Sequence, residues 1–348
     1  MNQYQFPGGG GTPPHGPGPF GGPPHSPGPY YIPPNPYKKN IRRNANIAAA
    51  GLILVEVISI ITASFINQAL SVLLPIEARV NLDPILYQLL TILIYIASFS
   101  IPCIIMVACI RIPPQAAFPM RPFRISLAVP AVFFCLGISF LGNYLSNLIS
   151  YYFSLYFGMS PTLPDSLTMP FGTVAILLYF VSVAILPAIL EEMVFRGVIM
   201  QSLRRYGDGF ALVVSALLFA FCHGNLVQGP PAFLMGLAIG YFVLRTGSLL
   251  MGIIIHFANN ALAVAVEYIN YYGSDIANVL TNNLLFLIYL VLPAISMALL
   301  VFKYPNMFRV APSNYPLAES QKYALFFTSV LPIVYIVITI FSMVSWFA

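Results

Sequence analysis

The sequence predicts an all-α fold: a polytopic bundle of about nine transmembrane helices (eight the nearest alternative), with the N-terminus in the cytoplasm. Three observations predict it. Only 7% of the 348 residues are charged and 59% are hydrophobic, whereas an ordinary soluble domain carries about 25% charged residues. Apolar residues come in long continuous runs rather than in the strand alternation of an outer-membrane barrel. The basic residues fall on one side when the runs are laid out as alternating spans. A soluble enzyme, a nucleic-acid binder and a disordered scaffold are thereby excluded as descriptions of the whole chain.

Residues 1–37 hold 12 Pro and 9 Gly, a composition that cannot bury a core, so a disordered cytoplasmic tail is expected there. No apolar core of a cleavable signal peptide follows the first residues. Residues 38–348 are expected to form one transmembrane domain, opened by the basic cluster Lys38, Lys39, Arg42 and Arg43. Helices are predicted at about 47–67, 85–110, 127–150, 171–204, 210–227, 231–245, 249–267, 283–302 and 323–346. The sixth falls short of the roughly 20 residues a span needs. The segment Arg111–Arg124 carries Pro113, Pro114, Pro119 and Pro122 and should be non-helical. Its basic residues are expected to anchor on anionic headgroups. Cys103, Cys109, Cys135 and Cys222 all lie in apolar runs without metal-type pairing, as buried thiols do.

Charge placement supports this order. With the N-terminus inside, fourteen of the fifteen Lys and Arg fall on the cytoplasmic side and only Arg79 falls outside. The outer loops instead hold Glu77, Asp83, Asp165 and Asp275. The C-terminus is then outside.

Ionisable residues inside a membrane mark function by default. Beyond the tail there are two histidines, His223 and His256, and the carboxylates within predicted spans are Glu56, Glu191 and Glu192, with Glu267 at an outer edge. The turn at Arg204–Gly209 lets their depths be compared. Glu191 lies sixteen residues before Gly207 and His223 sixteen after it, so an antiparallel hairpin places them level. His256 and Asn260 lie nine and thirteen residues beyond the next turn at Gly247. At 1.5 Å per residue all four sit roughly 13–24 Å from their turns. Glu192 and Arg196, four residues apart, share a helix face and can pair, which leaves Glu191, about 100° round, available. Pro187, four residues before Glu191, removes a backbone hydrogen bond and can kink the helix just ahead of the site, so a polar side chain or water can reach the freed carbonyl. His256 and Asn260, also four apart, point the same way and offer two donors suited to an oxyanion. Gly224 and Gly252 would permit close helix approach. Glu56 stands alone, and a structural hydrogen bond is its expected role.

The order Glu191-Glu192-x-x-x-Arg196, Phe219-x-x-x-His223, His256-x-x-x-Asn260 resembles the three motifs of the CAAX-protease and bacteriocin-processing family of intramembrane proteases, which includes the type II CAAX prenyl endopeptidases. The string Glu191-Glu192-Met193-Val194-Phe195-Arg196-Gly197 is its most specific part, and the likeness covers about residues 170–265. The resemblance implies a peptidase acting on a membrane-anchored or lipidated substrate. Glu191 would activate water with His223, His256 and Asn260 would hold the oxyanion, and Glu192 with Arg196 would fix the motif helix. Phe219 would be a packing residue. It also implies an integral, multi-pass location, a bacterial plasma membrane being the expected one. No cofactor is favoured. The alternative is zinc on Glu191, His223 and His256, although no H-E-x-x-H helix is present.

Two other functions compete. A family member can act without catalysis, as an immunity or scaffold protein that binds a peptide. A proton-coupled transporter would also use buried Glu and His, but the chain lacks paired broken helices in matching halves.

Overall fold

The computed structural model describes residues 36–75, 82–159, 170–304, 307–310 and 312–347. Residues 1–35 of the expected tail lie outside the described residues, as do Glu77, Arg79 and Asp165 of the expected outer loops. The described residues form helices and no strand ladder, only the isolated bridge Met120–Ser248.

The first helix, α1 (Pro36–Leu73), starts with proline in its first turn, where the missing N–H costs nothing. After it, α2 (Pro84–Ile110) is capped by Asp83, whose carboxylate accepts from the N–H groups of Ile85 and Leu86 at 3.0 Å each. At its other end Arg43 of α1 donates to the Cys109 carbonyl at 3.0 Å. The start of α1 and the end of α2 therefore share a level, with a cation on the negative helix end. A single turn, α3 (Pro114–Ala117), interrupts the proline-rich segment expected to be non-helical. The next long helix is α4 (Ile125–Phe157).

The helix bearing the paired glutamates, α5, runs from Thr173 to Tyr206. It is not uniform: π-helical stretches occupy Val181–Ile185 and Met193–Ile199, with an α-helical piece, Leu186–Glu192, between them. Its C-terminal carbonyl, on Tyr206, accepts from the buried Lys322 ammonium at 2.7 Å and from the Ser313 hydroxyl at 2.8 Å. A charge at that end satisfies an orphan carbonyl and opposes the helix dipole.

Two shorter helices follow, α6 (Asp208–Cys222) and α7 (Gly229–Thr246), then α8 (Leu249–Tyr272) and α9 (Asp275–Lys303), which contains the π-helical stretch Leu287–Val291. The chain closes with α10 (Glu319–Phe327) and α11 (Val330–Ser345).

All nine predicted helical regions are present, with two corrections. Among the described residues six helices are long and apolar enough to cross a membrane, and the α10–α11 pair makes a seventh if taken as one broken span. The pair α6 and α7 falls below that measure: α6 has 15 residues, and α7 is diluted by Gly229-Pro230-Pro231, Gly236 and Gly240. They pack on each other, and α7 also packs on α4, so protein rather than lipid surrounds much of the hairpin. The second correction is the expected continuous helix at 323–346, which bends by 69° between α10 and α11. Pro332 has no N–H for the Thr328 carbonyl, and the Thr328 and Ser329 hydroxyls bond back to Ala324 and Leu325 carbonyls at 2.6 and 2.7 Å. The core lies where α5, α6, α7 and α8 meet, around Phe195, Phe219, Ile239 and Ile255.

Candidate active site

The site begins at Pro187. It has no N–H for the Val183 carbonyl, and the Asn260 carboxamide of α8 donates to that oxygen at 3.2 Å. The adjoining π-helical stretch adds a wide turn before the glutamates, and a second follows them. Glu191 and Glu192 thus sit on a short α-helical piece with irregular backbone on either side.

The two carboxylates face different surroundings. Glu192 is fully buried; its Oε1 lies 2.6 Å from the Arg196 guanidinium and 3.0 Å from His256 Nδ1. Arg196, also fully buried, donates to the Gly236 carbonyl at 3.2 Å and stacks over the Phe219 ring at 4.3 Å. A planar guanidinium suits this combination of ion pair, carbonyl and ring face. Phe219 also presents edge-on contacts to His223 at 4.9 Å and His256 at 5.7 Å. One aromatic ring therefore joins all three motif segments.

Close approach of α8 makes this possible. A Cβ on Gly252 would stand 2.8 Å from Glu192 Oε2 and 2.8 Å from Val243. The glycine lets the helix carrying His256 lie directly on the Glu192 carboxylate.

Glu191 is 13% exposed against zero for Glu192. It lines a cavity of about 470 Å³ together with Glu56, Tyr95, Phe219, Cys222 and His223. The Tyr95 hydroxyl of α2 donates to Glu191 Oε1. Glu191 Oε2 stands 3.8 Å from His256 Nε2. His223 was expected inside a helix; it is the C-cap of α6, because Gly224 turns the chain out with φ +62°. Its Nδ1 lies 2.8 Å from the Phe219 carbonyl, which can only accept, so Nδ1 carries the hydrogen. In neutral His223 the lone pair is then on Nε2.

Glu191, Glu192, Arg196, His223 and His256 are thus gathered around Phe219. Asn260 lies one turn on, at the Val183 carbonyl, and neither it nor His256 lines the cavity. One cavity residue, Tyr95, was missed, and another, Glu56, was given a different role. Tyr95 sits 96 positions from Glu191 in an apolar helix and gave no signal. Glu56 was expected to make a structural hydrogen bond, but among the described residues it has neither a hydrogen bond nor an ion pair, and it faces the cavity. Its being the lone carboxylate of α1 was the available signal.

Among the described residues no three His, Cys, Asp or Glu side chains are arranged to hold a metal ion. His256 Nδ1 is directed at Glu192 and His223 Nδ1 at a main-chain carbonyl, which leaves Nε2 as the available nitrogen of each ring. No step through a metal is derived from this arrangement.

Fold and site define a multi-pass integral membrane protein whose interior joins a glutamate pair, an arginine and two histidines. Residues 173–262 match the model of the Rce1-like family, described as type II CAAX prenyl endopeptidase Rce1-like. That segment runs from the start of α5 into α8 and holds all three motifs, so the family resemblance carried by the motifs is borne out over the site. No curated protein and no solved structure matches the chain.

Proposed function

We propose that this protein is an intramembrane endopeptidase, cleaving a peptide bond in a membrane-anchored or lipidated substrate by glutamate-activated water. The observation that carries the reading is the division of labour between adjacent carboxylates. Glu192 is buried against Arg196 and His256, while Glu191 opens on a cavity shared with His223. In this reading the water lies between Glu191 and the Nε2 lone pair of His223. As its oxygen attacks the scissile carbonyl carbon, one proton passes to Glu191. The carbonyl oxygen becomes an oxyanion, held by His256 and Asn260. Collapse breaks the C–N bond, and the proton held by Glu191 goes to the leaving amine.

Two features of the resting arrangement shape these roles. Asn260 keeps one N–H on the Val183 carbonyl and has its other N–H for the oxyanion. His256 keeps Nδ1–H on Glu192 and donates through Nε2 only as an imidazolium.

The test is cleavage of a membrane-anchored peptide library by the full chain in liposomes. Glu191→Gln and His223→Ala should each lower kcat by about 10²–10⁴-fold. Asn260→Ala should lower it by about 10²–10³-fold. A chelator should leave cleavage unchanged. Full activity in Glu191→Gln, or full complementation of a null strain by it, would return the protein to the non-catalytic reading.

A further inference from the structure

A second cavity, of about 690 Å³, lies on the basic side of the bundle. Its walls come from the segment around α3, the end of α5, the start of α6 and the turn between α7 and α8. Four helix ends meet there, which places the cavity at headgroup depth on that side. Three arginines line it, Arg121, Arg204 and Arg245, against one acid, Asp208. Arg204 is engaged, with Nε 2.8 Å from Asp208 and a terminal nitrogen 3.1 Å from Gln201 Oε1. The guanidinium groups of Arg121 and Arg245 have no hydrogen bond or ion pair among the described residues. Two positive charges are therefore unbalanced in one concavity. The carbonyl ends of α5 and α7 oppose an anion here and the N-termini of α6 and α8 favour one, so the net attraction rests on the arginines.

The cavity is built, not incidental. The Leu249 N–H donates to the Pro119 carbonyl at 2.6 Å, and Met120 and Ser248 form a bridge. These bonds fix the segment bearing Arg121 to the turn bearing Arg245. Gly247, at φ +64°, leaves room for the Arg121 stem, which a Cβ there would meet at 3.0 Å. Preorganisation of this kind lowers the ordering cost of binding. The lining is also amphipathic: Met120, 59% exposed, and Leu244 stand beside the arginines.

We propose that this cavity binds the phosphate headgroup of an anionic phospholipid in the leaflet on the basic side. Arg121 and Arg245 hold the phosphate oxygens, and Met120 and Leu244 contact the glycerol and first acyl carbons. The site differs from the cavity of Glu191, and binding there needs no peptidase activity. Gln201, on its wall, donates to the Arg196 carbonyl at 3.1 Å, so the site abuts the turn that carries the Glu192–Arg196 pair.

Binding of phosphatidic acid to the full chain in phosphatidylcholine nanodiscs, read by native mass spectrometry and thermal unfolding, tests it. Phosphatidic acid should be retained and stabilise the protein, whereas extra phosphatidylcholine should not. Arg121→Gln and Arg245→Gln should each weaken binding about fivefold, and together about thirtyfold. Arg121→Lys with Arg245→Lys should keep most of it. The exposed pair Lys38→Gln with Lys39→Gln removes as much charge elsewhere and should change binding less than twofold. Inactive Glu191→Gln should bind as the parent chain does. Equal weakening by the arginine and lysine pairs would overturn the proposal in favour of diffuse surface attraction. Saturation by glycerol 3-phosphate or inorganic phosphate at lipid concentrations would overturn it in favour of a soluble ligand.

Discussion

At the scale of single residues, Arg196, Glu192, His256, Glu191 and Tyr95 form a continuous polar chain through an apolar interior. Breaking a buried ion pair leaves a charge uncompensated, at a cost of about 3–5 kcal/mol. Glu192→Gln should therefore lower the thermal unfolding temperature in detergent markedly, and adding Arg196→Met should restore part of the loss. Tyr95→Phe removes only the hydroxyl on Glu191. It should reduce kcat about tenfold with KM nearly unchanged, and lower the unfolding temperature by a few degrees, since a hydrogen bond to a charged group is worth about 1.5–3 kcal/mol. Much of this chain was legible beforehand. Glu192 and Arg196 are fixed as a pair by helix geometry, and the level of His223 follows from the turn at Gly207. Tyr95 was not legible, because a tyrosine in an apolar run has the same pattern whether it meets lipid or a carboxylate. The engagement of Asn260 was legible only by halves: Pro187 announced a freed carbonyl ahead of the glutamates, but no spacing rule names a partner 77 residues away.

At the scale of elements, α5 depends on how closely α8 can lie against it. Gly252→Ala places a methyl group 2.8 Å from Glu192 Oε2 and from Val243, and it should destabilise the protein by about 1–3 kcal/mol. Thermal unfolding reads the first effect, and peptide cleavage should fall with it as His256 is displaced. Periodicity located the helices because apolar runs of this length have one reading in a membrane. It missed the π-helical stretches, whose extra residue per turn leaves the composition unchanged. It also joined α10 to α11, because hydropathy averages across Thr328 and Ser329 and does not register back-bonding hydroxyls.

For the whole molecule, large apolar side chains are exposed on nearly every long helix, among them Phe65, Ile104, Phe140, Leu177, Phe302 and Phe341. On a soluble protein such a surface would aggregate; here it is the face offered to lipid. Orientation then follows from charge. In a background without the native cysteines, Lys39→Cys should react with a membrane-impermeant maleimide only after the membrane is opened. Asp275→Cys should react in intact cells. The reverse pattern would invert the positive-inside assignment.

Lys322 adds a consequence of timing. The carbonyl it seals, on Tyr206, precedes it by 116 residues. During synthesis the three motifs are therefore all made before the residue that puts a cation on the end of the glutamate helix. Until α10 arrives and lays its ammonium there, the nascent chain holds the ingredients of its chemistry without their final brace.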